Sequence, residues 1–247
     1  MTHYARLYDD LAWIWPVFSP AEDYGEEVRI IVERFAELGV ASGTLLHLGS
    51  GGGSIDYHLK QHFRVTGVDL SEGMRAQAAL INPDVEYLHG DMRDVRLGRT
   101  FDAVLVHDAI ACMTTFDELH AVYATAAAHL LPGGAMIAQP EEVRERYIEK
   151  ETNSWTVQRG DTTVTAIELV HDPDPDDTEF LAAYFFLVQQ GDRFSTLSDL
   201  HRVGIFPLDQ FVRAVREAGF DARAGDWPPP DDDGVIWPPL ISAVRTA

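Results

Sequence analysis

Three glycines at alternate positions are the most distinctive chemical feature of the chain. Gly49, Gly51 and Gly53 follow the apolar run Leu45–Leu48, which predicts a short strand. Glycine suits this place because the backbone must turn tightly and approach a ligand without a Cβ in the way. The spacing differs from a dinucleotide fingerprint, whose third small residue would fall at Ser54, and a P-loop's Gly-Lys pair is absent.

Acidic residues follow the next two predicted strands. Asp69 closes the strand Arg64–Val68, about 20 residues beyond the glycines, where a carboxylate can take the hydroxyls of a ribose. Asp91 and Met92 follow the strand Val85–Leu88 and offer a polar and an apolar group to an adenine ring. Each aspartate taken alone is most simply a helix cap or a turn residue. Three such features in order, each just after a strand, favour a nucleoside-binding site.

These residues need a parallel sheet to bring them to one edge. From Thr44 to Gln139 the chain alternates predicted strands and helices as βαβ units do, with further strands at Phe101–Val106 and Ala135–Ala138. The expected fold class is α/β, a Rossmann-like and mostly parallel sheet with helices on both faces and an added antiparallel β insertion.

Two helices are expected to begin at capping-box sequences. Ser19 and Glu22, with Pro20 at the first helical position, predict one helix start. Thr115 and Glu118 predict another, after the fourth strand. Both helices would pack against the sheet through apolar residues at helical spacing.

The pattern changes after about residue 150. Thr156–Val170 and Glu179–Gln189 are β-branched and aromatic runs on either side of an acidic loop, and they predict an antiparallel pair outside the main sheet. We expect this insertion to cover an acceptor pocket or to pair two subunits. A helix over Pro207–Ala218 and a strand over Leu240–Val244 follow, and the proline-rich segment after Trp227 predicts a surface loop.

The order of these features resembles the class I S-adenosylmethionine-dependent methyltransferases. The resemblance covers roughly residues 20–140, through the glycine loop and the segments Gly67–Ser71, Gly90–Asp94, Phe101–Val104 and Leu131–Gly134. It implies a single Rossmann-like domain that binds S-adenosylmethionine.

Within that family, the layout is most similar to the amino-sugar N-methyltransferases of antibiotic pathways. These share an aromatic N-terminal lid, a β insertion after the fifth strand and a segment like Ser198–His201. The lid here would include Tyr4 and Tyr8. The resemblance implies one methyltransferase domain over residues 1–247, with a lid and first helix (1–40), a cofactor-binding core (41–140), the insertion (151–205), and a C-terminal helix and strand (206–247).

The resemblance also implies roles for individual residues. The three glycines border the methionine moiety, Asp69 binds the ribose, Asp91 and Met92 bind the adenine, and Met74 lies beside its ring. Family members usually carry an acid before the first glycine to hold the cofactor's ammonium. His47 stands there instead, and a neutral imidazole still accepts a hydrogen bond. The predicted cofactor-binding residues are Tyr24, His47, Gly49, Ser50, Gly51, Gly53, Asp69, Leu70, Met74, Asp91, Met92 and His107.

Two histidines are the candidates for a catalytic contact with the methyl acceptor. His201 follows the insertion, and Asp199 would share its face of a strand and raise its basicity. His107, the second choice, ends the fourth strand at the carboxyl edge where ligands of such sheets bind. A surface Asp-x-His pair and a structural histidine are the simpler alternatives. A general base is optional, because aligning the acceptor with a sulfonium leaving group already contributes several kcal/mol.

Composition narrows the expected partners. The formal charge of −21 repels phosphate backbones, so no nucleic-acid partner is expected, whereas a cationic amine is not hindered. Cys112 is the only cysteine, and no spacing of His and acidic residues predicts a metal site. Apolar runs are far shorter than the ~20 residues of a membrane span, and no signal peptide is recognised, so a cytoplasmic location is expected.

The leading hypothesis is an enzyme that transfers a methyl group from S-adenosylmethionine to a small molecule, to an amine or else to a hydroxyl. The acidic charge favours an amine. The same fold acting on a protein or on RNA is one alternative, and the absence of a basic patch argues against RNA. A non-catalytic cofactor-binding subunit is the other, and a homodimer is a further expectation.

Overall fold

A computed structural model of the chain describes residues 6–225 and 238–246. Within these ranges the chain forms a seven-stranded sheet flanked by helices and a separate four-stranded antiparallel sheet. This arrangement confirms the predicted α/β class with an antiparallel insertion. Tyr4 and the proline-rich segment after Trp227, up to residue 237, lie outside the described residues. The strands are β1 (Gly43–Leu48), β2 (Phe63–Asp69), β3 (Glu86–His89), β4 (Phe101–Val106), β5 (Leu130–Ala138), β6 (Thr152–Arg159), β7 (Thr162–His171), β8 (Glu179–Gln190), β9 (Arg193–Gly204), β10 (Phe220–Gly225) and β11 (Leu240–Arg245).

In the described ranges, the α-helices that begin at Glu72 and Phe116 have a side-chain cap. Thr115 Oγ1 accepts the backbone N–H of Glu118 at 3.3 Å, as the capping-box pattern predicts. No helix described here is long and apolar enough to span a membrane. The α-helices are α1 (Trp15–Phe18), α2 (Gly25–Glu37), α3 (Asp56–Leu59), α4 (Glu72–Ile81), α5 (Phe116–Ala128) and α6 (Leu208–Glu217), with 3-10 turns at Arg6–Tyr8, Ala12–Ile14, Ala21–Tyr24 and Asp108–Cys112.

The helix start predicted at Ser19 is wrong. Residues Ala21–Tyr24 form a single 3-10 turn, and the α-helix α2 begins at Gly25. The Ser19 hydroxyl does not cap a backbone N–H, because it lies 2.5 Å from the hydroxyl of Tyr24. A tertiary partner for the serine therefore replaces the local cap.

The main sheet has the strand order β10-β11-β5-β4-β1-β2-β3. The strands β1 to β5 pair in parallel, and β11 joins β5 antiparallel. The chain leaves β1 towards β2 on one side and returns to β4 on the other, which opens a crevice between the carboxyl ends of β1 and β4. Ligands of open α/β sheets bind at this kind of switch point.

Apolar side chains cover both faces of the main sheet. On one face, helix α2 contributes Ile31 and Phe35 to a cluster with Leu45 and Leu105. On the other, α5 and α6 pack against Leu46 and Val104. Burial on both faces explains why the parallel strands carry nearly continuous apolar sequences.

The insertion contains four strands where the sequence analysis predicted two. The run Thr156–Val170 is divided by a turn at Gly160, whose φ is +60°, and Gly191 at φ +56° makes the turn between β8 and β9. Both are left-handed conformations that glycine adopts without strain. A single run of β-branched residues thus folds back on itself as a hairpin.

The N-terminal segment lies between the insertion and the main sheet. Leu7 and Ile14 pack against Val164 and Phe186 on one face of the four-stranded sheet. The backbone N–H of Leu7 also donates to Asp199 Oδ2 at 2.7 Å. This packing brings the insertion next to the carboxyl edge of the parallel sheet.

Candidate active site

The glycine loop turns sharply at the end of β1. Gly49, Gly51 and Gly53 all have left-handed backbone angles, with φ of +73°, +55° and +80°. A Cβ on Gly49 would lie 2.3 Å from the Cβ of Ala109, in the turn that follows β4. The absence of a side chain therefore lets the two loops of the switch point approach each other.

Asp69 is held by the glycine loop itself. Its Oδ2 accepts the N–H of Gly51 at 2.8 Å, and its Oδ1 accepts the N–H of Ser71 at 2.8 Å. Burial nevertheless raises the pKa of Asp69. Each carboxylate oxygen accepts one further hydrogen bond, so both can meet the hydroxyls of a ribose.

The two methionines predicted near the adenine lie against the loop. Met74 and Met92 are both buried. A Cβ on Gly51 would lie 3.5 Å from Met74 Cε, and a Cβ on Gly49 would lie 3.4 Å from Met92 Sδ. Asp91 is partly buried and accepts from Arg93 Nη2 at 2.6 Å. The apolar methionine surface and the anchored carboxylate suit the face and the edge of a purine.

Four more residues are predicted to contact the cofactor: His47, Ser50, Leu70 and Tyr24. His47 is buried, with Nδ1 2.7 Å from Asp56 Oδ1. Within the part of the chain that the structure describes, neither its Nε2 nor the buried Ser50 hydroxyl has a hydrogen-bond partner. Leu70 follows Asp69 at the end of β2, and Tyr24 bonds to Ser19. Unpaired buried polar atoms beside a glycine loop fit a polar ligand.

The N-terminal segment covers the loop from above. The Ser71 hydroxyl donates to the carbonyl of Tyr8. A Cβ on Gly52 would lie 2.3 Å from Trp15 Cδ1, so the indole lies directly on the loop backbone. These contacts place Tyr8 and Trp15 where a lid over the nucleoside site would be.

His107 is enclosed by two carboxylates. Its Nε2 lies 2.8 Å from Glu27 Oε1 and its Nδ1 lies 3.1 Å from Asp108 Oδ2. Burial opposes a positive charge on the ring, but Asp108 and Glu27 outweigh it and raise the pKa of His107 well above its ordinary value. The two carboxylates therefore favour the protonated form of the ring, and with both nitrogens already partnered His107 does not suit a general base.

His201 has a different environment. Its Nε2 lies 2.8 Å from Asp199 Oδ2, and its ring centroid is 5.2 Å from that of Tyr8 and 4.9 Å from that of Tyr184. Burial lowers the pKa of His201, although Asp199 opposes part of this effect. With Nε2–H directed at Asp199, the neutral ring carries its lone pair on Nδ1.

A further acidic side chain, that of Glu141, lies near Asp108 and His107. Enclosure by the surrounding protein and repulsion from Asp108 and Glu168 raise the pKa of Glu141, although solvent reaches its side chain. The Tyr184 hydroxyl donates to Glu168 at 2.6 Å, and the Tyr184 ring lies beside that of His201. A cation bound there would relieve the repulsion among the carboxyls.

Sequence reasoning missed several of these residues. Glu27, Asp56, Glu141 and Tyr184 carry no motif, and Glu27 is 80 residues away from His107, its partner. The only available signal was the local pattern Ser198–His201, which identified Asp199. The rest depends on tertiary contacts.

Comparison with known proteins decides the family. A family profile described as "Methyltransferase domain" matches residues 45–134. The dTDP-3-amino-3,6-dideoxy-alpha-D-glucopyranose N,N-dimethyltransferase of Streptomyces fradiae is 30% identical over 204 residues, which are 82% of this chain and 79% of that enzyme. The chain belongs to the S-adenosylmethionine-dependent methyltransferases.

Solved structures agree with this assignment. Streptomyces venezuelae DesVI has a TM-score of 0.85 at 26% identity, over 96% of this chain and 99% of that one. CalS10, an amino pentose methyltransferase from Micromonospora echinaspora solved with S-adenosylmethionine bound, has a TM-score of 0.78 at 25% identity, over 90% and 92% of the two chains. This methyltransferase is an enzyme that uses S-adenosylmethionine, as the sequence analysis predicts. Its relatives act on small molecules. The alternative of a non-catalytic cofactor-binding subunit is not favoured.

Asp69→Ala is expected to weaken binding of S-adenosylhomocysteine. Loss of a charged hydrogen bond costs about 1.5–3 kcal/mol, or roughly 10- to 150-fold in Kd. Calorimetric titration measures the change. Asp102→Ala is the matched control, because Asp102 accepts the backbone N–H of Thr44 at 2.7 Å at the opposite edge of the sheet. An unchanged Kd for Asp69→Ala would remove Asp69 from the site.

Proposed function

We propose that this methyltransferase N-methylates the amino group of a nucleotide-linked amino sugar. Two observations support the proposal. The named Streptomyces fradiae relative is an N,N-dimethyltransferase of such a sugar. The cleft beside the glycine loop combines carboxylates with a neutral histidine, which are the groups that an ammonium substrate requires.

The environment of His201 carries the proposal. An amine is protonated near neutral pH and must lose a proton before its nitrogen has a lone pair to donate. His201 Nδ1 is free to accept that proton, since no hydrogen-bond partner is found for it among the described residues. Asp199, at 2.8 Å from Nε2, stabilises the imidazolium that forms.

The other residues bind and orient the reactants. S-adenosylmethionine, when bound, supplies a methyl group on a sulfonium that is already a good leaving group. The glycine loop and Asp69 would hold it at the end of β1. Glu141 and Asp108 attract the ammonium of the acceptor, and Tyr8 and Tyr184 exclude water around the histidine.

The test is an assay with purified enzyme, S-adenosylmethionine and a dTDP-linked 3-amino-3,6-dideoxyhexose. Mass spectrometry should show one or two methyl groups added to the amine. The matched 3-hydroxy sugar nucleotide is the control and should remain unmodified. Methylation of the hydroxy sugar at a comparable rate, or of neither compound, would contradict the proposal.

We also propose that the outer face of the insertion pairs two copies of the chain. Ile167 and Phe185 are opposite each other in the β7–β8 register, and both are exposed. Such a contiguous exposed apolar patch is typical of an interface. It would let two acidic chains associate away from most of their charge. The exposed apolar residues of this face are Ile167, Leu169, Phe185, Leu187 and Leu200.

Phe185→Glu is expected to convert a dimer to a monomer, because a charge buried in an apolar interface is costly. Light scattering coupled to size exclusion measures the mass. Leu131→Glu is the control, since Leu131 is equally exposed but lies on β5 in the other sheet. A wild-type monomer at micromolar concentration would refute the pairing. The cytoplasmic location and the lack of a nucleic-acid partner stay predictions.

A further inference from the structure

A chain of buried polar side chains lies behind the glycine loop. His47 Nδ1 is 2.7 Å from Asp56 Oδ1, and the Tyr87 hydroxyl donates to Asp56 Oδ2 at 3.0 Å. Asn82 Nδ2 in turn donates to the Tyr87 oxygen at 3.0 Å and to the carbonyl of Gly53 at 2.8 Å. The network therefore connects the end of β1 to the loop that binds the cofactor.

One atom of this network points to a ligand. His47 is only 2% exposed, and its buried Nε2 has no hydrogen-bond partner among the described residues. Because the Asp56 carboxylate accepts from Nδ1, that nitrogen carries the proton, and in the neutral ring Nε2 is an acceptor. A buried acceptor without a donor costs about as much as a lost hydrogen bond, so a donor is expected when the site is filled.

The position of His47 identifies that donor. It stands two residues before Gly49, at the position where the resemblance to S-adenosylmethionine-dependent methyltransferases implies an acid for the cofactor's ammonium. It is also near enough to Asp69 to contribute to lowering the pKa of that carboxyl, against the larger effect of burial. His47 is thus close to the predicted ribose carboxylate and is also paired with Asp56.

We propose that His47 and Asp56 together replace the acid found in related enzymes. His47 Nε2 accepts a hydrogen bond from the cofactor's ammonium, and Asp56 supplies the negative charge one side chain further away. Asp56 is a positioning residue, because it holds the ring and its tautomer without touching the cofactor. The inference rests on the cofactor assignment and assigns its ammonium contact.

The arrangement predicts a specific pattern among variants. His47→Asp alone would put two carboxylates into one buried pocket, where like charges oppose ionisation. Asp56→Asn removes the charge and leaves His47 without its fixed tautomer. The double variant H47D/D56N returns a single carboxylate to the usual position, so it should bind the cofactor better than H47D does.

Calorimetric titration with two ligands tests the proposal. S-adenosylhomocysteine carries the ammonium, whereas 5′-methylthioadenosine has the same adenosine and sulfur but no amino-acid end. His47→Leu and Asp56→Asn should weaken S-adenosylhomocysteine by about 10- to 100-fold, as for a charged hydrogen bond. The affinity for 5′-methylthioadenosine should change by no more than about twofold.

His129→Gln is the matched control, because His129 is also buried, bonded to the Thr125 carbonyl at 2.8 Å, and distant from the loop. It should alter neither affinity. Equal losses for both ligands in His47→Leu and in Asp56→Asn would show a structural role and overturn the proposal. If H47D/D56N binds S-adenosylhomocysteine no better than H47D does, Asp56 is not the source of the negative charge. Failure of the wild type to bind S-adenosylhomocysteine would instead refute the cofactor assignment.

Discussion

Replacing His201 with glutamine is expected to lower the turnover number by about 10²- to 10⁴-fold, the range for loss of a positioned general base. Glutamine is polar and of similar length, but it takes no proton near neutral pH. The Kd for S-adenosylhomocysteine should be unchanged, because His201 lies on β9 and the cofactor loop follows β1. Steady-state kinetics and calorimetry on the same preparation measure the two effects.

His171→Gln is the matched control for this substitution. His171 also pairs with a carboxylate, Glu149, at 2.7 Å, but it is exposed at the far end of β7. Its loss should leave turnover within about twofold, since exposed pairs contribute little. If His201→Gln loses only a few-fold in turnover, alignment of the reactants carries the reaction without a base.

The pH profile provides an independent check. The pKa of His201 is lowered from its ordinary 6.5 by burial, so the basic form is present at neutral pH. In the wild type, kcat/KM should fall only as the pH drops below 6.5 and through that lowered value. The corresponding acidic decline should be missing in His201→Gln. A decline that is the same in both proteins would assign it to another group.

Gly204→Ala is expected to be the most destabilising single-methyl change in the described part of the chain. A Cβ on Gly204 would lie 1.8 Å from the carbonyl oxygen of Met113 and 2.8 Å from its carbonyl carbon. These are backbone atoms, so neither can rotate away. We expect a loss of about 3 kcal/mol in the free energy of unfolding, at the upper end for overpacking. Calorimetry should show Tm lower by roughly 6–12 °C.

Gly225→Ala is the control, because a Cβ there meets no atom of the described residues within 4 Å. The contact at Gly204 joins the end of β9 to the segment after β4, so it holds the insertion against the main sheet. A folded Gly204→Ala protein should therefore also lose activity through displacement of His201. Equal Tm values for the two alanine variants would refute this account.

The sequence by itself predicted which residues come together at the proposed cofactor site. Carboxyl ends of neighbouring parallel strands meet at one edge, so residues directly after strands could be brought together without any knowledge of the fold. Gly49 and Asp69 could be predicted this way. Local signals also marked the cap at Thr115. They failed at Ser19, where a bond to Tyr24 displaced the expected cap.

Only the tertiary structure decided the chemical state of the histidines. Glu27 is separated from His107 by 80 residues, and the N–H of Leu7 that meets Asp199 is separated from it by 192. A side chain's pKa depends on its burial and on the charges around it, and neither follows from spacing. Two similar histidines therefore differ: carboxylates favour the protonated form of His107 and burial favours the neutral form of His201, because distant segments of the chain surround them differently.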